Sequence, residues 1–189
     1  MPNTGDLYRM ANDQFERKVM SIRDDQWVDW TPCSDWDVRA LVHHVVSENA
    51  WIPPLLAGKT IREVGDSLDG DLLGTDPKAS WQWHAEAATS AVSQEGALDR
   101  TVHISRGDVP GGEYVFEVVA DLVIHGWDLA RAIGGDDAID PQLLEPVFAF
   151  YEPLIPMLKT TGAYGPDVVA PPGADRQTAL LAMLGRKSF

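Results

Sequence analysis

Asp121-Leu-Val-Ile-His125-Gly-Trp127-Asp128-Leu-Ala-Arg131 is the stretch from which the rest of the chain can be read. The residues around it keep a helical period from about Gly112 to Ile133, and Gly134-Gly135 stops it. At about 100° per residue, Val115, Val119, Leu122, Gly126, Leu129 and Ile133 make one stripe that should face a core. Asp121, His125 and Asp128 fall on the neighbouring strip, so their side chains stack one above another. A carboxylate, an imidazole and a second carboxylate beside an apolar stripe cost free energy unless paired or bound. Spacing alone leaves two readings open. One is a hydrogen-bonded His–Asp pair on a helix surface; the other is part of a metal site that takes another ligand from elsewhere.

The other ligand is sought on a second helix. Polar residues from Ser34 to Asp37 precede an apolar run, VRALVHHVVSENAWI, that continues to Pro53 or just past it. Pro53 and Pro54 should kink or end this helix. Leu41, Val45, Ile52 and Leu56 define its inward face, with Val38 and Val42 on the shoulder. His44 lies on the edge of that face above Glu48, whereas His43 points towards solvent. Of the two, His44 is the ligand candidate, and the bland alternative for either is a partly exposed helix histidine.

The remaining elements follow the same period. Asp6 to Arg23 reads as a first helix, and Asp24 to Asp35, with Trp27, Trp30 and Pro32, as a connection across one end of the fold. Gly58 to Asp76 shows no sustained period and reads as a long loop or lid. A third helix starts near Pro77 and runs to about Gly96. It carries His84, a weaker ligand candidate without a co-ligand at helical spacing. Leu98 to Ser105 suits a short strand, and Gly107 to Gly112 a turn. A helix from Pro141 to Lys159 is interrupted near Pro153 and Pro156, and the tail from Gly162 holds a short helix at Asp175 to Leu184. Four long helices and little strand give an all-α bundle. Residues 1–160 are expected to form the bundle and 161–189 a C-terminal extension packing on it.

Composition narrows the function. A hydrophobic fraction of 44% over 189 residues supports a core of ordinary size. The net charge of −14 leaves no basic surface for phosphates, so neither nucleic acid nor an anionic membrane is an expected partner. No apolar run of about 18 residues is present to span a membrane, and the N-terminus has no signal-peptide core. Cys33 is the one cysteine, read as a packing residue at the start of the second helix. These features together point to the cytoplasm. Seven tryptophans are many for this length, and aromatic walls suit either a small-molecule cavity or a core.

On facing helices, His44 could meet Asp121 and His125. Two imidazoles and a carboxylate on one side of an ion leave positions open, which suits Zn²⁺, Ni²⁺ or Fe²⁺ rather than a closed structural site.

Three segments then carry a resemblance. Pro32-Cys-Ser-Asp-Trp36-Asp-Val-Arg39-Ala-Leu41-Val-His-His44-Val resembles the P-C-x-x-W-x-V-R-x-L-x-x-H signature of the mycothiol-dependent maleylpyruvate isomerase N-terminal domain. His125-Gly-Trp-Asp-Leu-Ala-Arg-Ala-Ile-Gly134 resembles a second segment of that group, within the DinB-like superfamily. Leu180-Leu-Ala-Met-Leu-Gly185-Arg186 is similar to the terminal segment of its short actinobacterial members. The resemblance implies a DinB-like four-helix bundle with a divalent metal, zinc first, on His44, Asp121 and His125. It also implies a low-molecular-weight thiol such as mycothiol as cofactor. The isomerase carries a glutamate where Asp121 stands and has a second domain, so isomerisation of maleylpyruvate itself is not the expected activity.

The leading expectation is therefore a thiol transferase whose metal-bound thiolate attacks a small electrophile. Trp51 and Trp127 are expected to line the thiol site under a roof formed by Gly58–Asp76. Asp128 and Glu48 are expected to orient an imidazole, with a salt bridge from Asp128 to Arg39 or Arg131 as the alternative. A metal- or ligand-binding bundle without turnover and a metal-free interaction module are the other functions weighed. A homodimer is one assembly the sequence allows.

Overall fold

The computed structural model describes residues 2–33, 35–161 and 168–188, the side chains of 159–161 apart. Helix α1 (Thr4–Ser21) opens where the Asn3 side chain accepts the Asp6 backbone N–H at 3.0 Å, satisfying a donor the first turn leaves free. Helix α2 (Val38–Leu56) opens likewise on the Asp37 carboxylate, which accepts from Ala40 N. It runs through Pro53 and Pro54 instead of stopping there. The prolines lie in its last turn, and Leu55 and Leu56 beyond them are anchored in the core.

The stretch expected to be an unpatterned lid has structure of its own. Thr60 and Glu63 form a capping box at the start of α3 (Ile61–Val64), the Thr60 hydroxyl accepting the Glu63 N–H and the Glu63 carboxylate the Thr60 N–H. Helix α4 (Pro77–Val92) follows from the Asp76 cap. The segment between them is held to α2. The Arg39 guanidinium donates to Asp71 Oδ2 and to Gly74 O, and His43 Nε2 sits 2.8 Å from Gly70 O and 3.2 Å from Leu72 N. His43 therefore faces this segment rather than open solvent.

Strand β1 (Thr101–Ile104) pairs antiparallel with β2 (Gly107–Pro110), Val102 opposite Val109 and His103 opposite Asp108. The expected turn at Gly107 is thus the second strand of a hairpin. Its proline is tolerated because it ends an edge strand that needs no further ladder donor.

Helix α5 (Gly111–Ile133) is the centre of the molecule. A side chain at Gly111 would put Cβ 2.7 Å from the Ala97 carbonyl oxygen and 2.9 Å from Leu56 Cδ2, so only glycine lets the helix start so close to the preceding turn. Every residue from Leu122 to Ala130 is buried, a wider covering than the single stripe expected. The reason is that α1, α2 and α6 (Pro141–Tyr151) all pack against α5. Helix α7 (Ile155–Thr161) continues after the break at Pro153. Helix α8 (Arg176–Met183) packs on α6, and its Leu180 and Leu181, with Leu184, join the same buried cluster as the bundle. A Tyr8–Asn49–Asn12 chain of hydrogen bonds ties α1 to α2 inside that core. Among the described residues the protein is an all-α helical bundle with one small hairpin. Among the described residues no helix is long and apolar enough to cross a membrane.

Candidate metal centre

Because α2 and α5 face each other, the His44 edge of one meets the Asp121–His125 strip of the other. His44 Nε2 lies 2.8 Å from Asp121 Oδ2, and His125 Nε2 lies 3.3 Å from Asp121 Oδ1. One carboxylate thus addresses both imidazoles, one oxygen to each. Ligand atoms of His44, Asp121 and His125 all fall within 4.8 Å of one another. The three residues predicted from the sequence are brought together.

The far side of His125 is fixed as well. Its Nδ1 is 3.1 Å from Asp128 Oδ2, and Asp128 is fully buried. Asp128 does not pair with Arg39 or Arg131, which hold Asp71 and Asp137. Its cation is Arg186, whose Nη2 donates to Oδ2 at 2.9 Å. Arg186 reaches inward because Gly185, at φ +78°, reverses the chain after α8, and the Arg186 N–H closes on Leu181 O. With Asp128 accepting the Nδ1–H, the other nitrogen of His125 can present a lone pair to an ion.

The charges of these groups are organised around Asp121. Burial works against its ionisation, but His125 and His44 override it and hold the carboxyl well below its usual range. Burial likewise opposes charge on His125, and Asp121 and Asp128 outweigh it, raising the imidazole to about 9. The Glu48 carboxyl goes the other way, pushed up by burial and then by the charge of Asp121.

Trp36 supplies the aromatic wall, its ring 4.7 Å from His44 and 5.4 Å from His125 between centroids. The buried Thr31 positions it: both its N–H and its hydroxyl point to Trp36 O. Trp127 stands on the opposite side of α5 and lines a small space with Phe15 and Leu122. Neither Trp51 nor Trp127 lines the cavity beside His44. That cavity measures about 460 Å³ and runs from His44 and Asp121 along α5. Its polar wall holds Glu48, Arg106, Glu113, Tyr114 and Glu117. Phe150, Leu154, Met157 and Leu158 from the α6–α7 arm form its apolar side. The described part of 58–76 contributes nothing to it; that segment lies against a different cavity, beside Pro53 and Trp83. His84 faces that second cavity, its Nδ1 2.9 Å from Ser80 O. Cys33 lies near His125 and Asp128, but those two are already engaged with each other and with Arg186, and burial pushes its thiol pKa up.

The sequence model of the mycothiol maleylpyruvate isomerase N-terminal domain matches residues 8–130, which include all three candidate ligands. The chain belongs to that family. Two uncharacterized proteins of Mycobacterium tuberculosis, from strains CDC 1551 and H37Rv, are each 28% identical to this chain over 136 residues, or 72% of this chain and 70% of theirs. Crystal structures of the mycothiol-dependent maleylpyruvate isomerase and of a histidine-to-alanine mutant superpose with a TM-score of 0.62 at 16% identity. They cover 93% of this chain and 81% of the isomerase, so the maleylpyruvate isomerase N-terminal family and this chain share one fold.

Proposed function

We propose that this protein is a divalent-metal-dependent transferase that joins a low-molecular-weight thiol of the mycothiol class to a small electrophile. The observation that carries the reading is the convergence of His44, Asp121 and His125 at the end of a cavity large enough for a small molecule. The residues fit a metal. They offer two imidazole nitrogens and a carboxylate on one side, with zinc the first choice and nickel or iron also suited. Bound there, the cation would act as a Lewis acid and lower the pKa of a thiol.

The chain does the rest. Asp128 fixes the His125 tautomer by accepting its Nδ1–H, and Arg186 fixes Asp128. Trp36 covers the two imidazoles and lowers the local dielectric, which strengthens attraction between unlike charges. Glu48 is not among the candidate ligands, and its place in the cavity wall beside His44 and Asp121 suits it to take up and return the proton that the thiol gives up.

Calorimetry with mycothiol or N-acetylcysteine tests this on metal-loaded protein and on His125→Ala. Binding to the first alone, followed by turnover with an electrophile panel, supports the transferase. Equal binding to both removes the metal from thiol binding. Binding without turnover would make the protein a ligand-holding bundle.

A further inference from the structure

The second cavity, between α2, α3 and α4, takes no part in the chemistry above. It measures about 400 Å³ and shares no lining residue with the cavity beside His44. Pro53 in its wall follows His44 by about 180° round α2, at about 100° per residue, so the two cavities lie on opposite sides of that helix. Its apolar surface comes from Pro53, Pro54, Val64, Leu68, Ala87 and Trp83. Trp83 is 67% exposed, which leaves its indole face open to a ligand. Of the polar side chains among the described residues lining the cavity, Lys59, Glu63 and Ser67 are exposed and only His84 is buried, at 8% exposure. Glu63 is engaged with the Thr60 N–H and hydroxyl, and the Ser67 hydroxyl donates to Val64 O.

His84 is held with one nitrogen committed and the other open. Nδ1 lies 2.9 Å from Ser80 O, which can only accept, so Nδ1 carries a proton. The Ser80 hydroxyl gives its own proton to Leu72 O at 2.6 Å. In the neutral imidazole Nε2 is then an acceptor. It has no hydrogen-bond partner among the described residues, and it is not one of their unpartnered atoms closed off from the surface. Trp83 meets the His84 ring edge-on, 4.6 Å between centroids, so an aromatic face stands beside this acceptor.

From these we infer that the cavity between α2, α3 and α4 binds a small aromatic molecule with one hydrogen-bond donor, of which a phenol is the simplest. The donor meets His84 Nε2, and the ring lies against Trp83 and the prolines of α2. A space of this size holds a small molecule. A ligand without a donor would displace water from Nε2 and leave the acceptor unpaired, which selects against it. The inference does not rest on the transferase reading, since the cavity holds none of the candidate metal ligands.

The test titrates p-cresol and its methyl ether, which lacks the donor, into the isotope-labelled full chain and follows the amide and indole N–H signals by NMR. Binding of p-cresol should move the Trp83 indole signal and the backbone signals of 63–68 and 84–87. It should be about two- to tenfold tighter than that of the ether, the value of one hydrogen bond. His84→Phe keeps a ring but no acceptor, and should bind the two probes alike. Trp83→Ala changes an exposed residue and should leave the fold intact. It should weaken both probes about two- to tenfold by removing the aromatic contact, so the test stands even if His84→Phe fails to fold. The inference is overturned if neither probe binds, if wild type binds both equally, or if the shifts fall on the cavity along α5 instead. It is also overturned if His84→Phe keeps the preference for p-cresol, or if Trp83→Ala binds like wild type.

Discussion

Arg186 and Asp128 meet in the interior 58 residues apart in sequence, with Nη2 and Nε of the guanidinium 2.9 and 3.3 Å from the two carboxylate oxygens. The same carboxylate faces His125 Nδ1, so the tail of the chain reaches the candidate metal centre through a single residue. A buried charge is tolerable only while its partner stays. Arg186→Ala should cost about 3–5 kcal/mol in urea denaturation, because it leaves the buried Asp128 without its guanidinium partner and with His125 alone. Metal affinity should also fall about 10- to 100-fold, the usual effect of losing an outer partner of a ligand histidine. A stability loss with unchanged affinity would limit Arg186 to a structural role.

Three histidines of the bundle make a second, sharper comparison. His125→Ala should abolish stoichiometric metal binding, and His44→Ala should weaken it severely, since each removes one of three donors. His43→Ala should keep the metal. Its imidazole is turned to Gly70 and Leu72, and with one proton on Nε2 it can satisfy only one of them at a time. Its loss should instead loosen the segment before α4, seen as faster backbone hydrogen exchange around Leu72. Metal loss in His43→Ala with retention in His44→Ala would reverse the assignment.

Glu48 gives a pH signature in the metal-free protein. Its folded pKa is raised, by burial first and by Asp121 next. A raised carboxyl binds its proton more tightly folded than unfolded, so its contribution is fully present below the unfolded pKa of about 4.5 and is lost as pH rises through the folded value. Glu48→Gln never ionises. It should therefore be more stable than wild type at neutral pH, and the gap should close towards about pH 4. A gap that widens on acidification would mean that Glu48 has a cation the described residues do not show.

What the sequence made legible was local. His44, Asp121 and His125 were found because helical spacing puts side chains on faces, and two faces suffice when the helices are long. The partner of Asp128 was out of reach of that argument, since no period links Arg186 to α5. The aromatic wall was misplaced for a different reason. Nearness in sequence favoured Trp127, yet two residues from His125 is about 200° around a helix, which turns it to α1. Trp36, quoted in the same motif as His44, was the better choice. The capping box Thr60–Glu63 was visible as T-x-x-E but was hidden by the glycines and aspartates around it. The strand Gly107–Pro110 was read as a turn because its ends are turn residues.

Two buried tyrosines make the last prediction, because their hydroxyls stand in opposite situations. Tyr8 Oη donates to Asn49 Oδ1 at 2.8 Å, and Asn49 Nδ2 donates on to Asn12 Oδ1 at 3.2 Å, all within the α1–α2 core. Tyr8→Phe strands the Asn49 oxygen where water cannot replace the donor, and should cost about 1–3 kcal/mol. Tyr114 has no such partner among the described residues, so Tyr114→Phe removes a hydroxyl that contributes no bond and should cost nothing. The measurement is the urea midpoint of each variant at constant m-value, which keeps the comparison to stability alone. Equal losses in the two variants would show that Tyr114 has a partner within the fold.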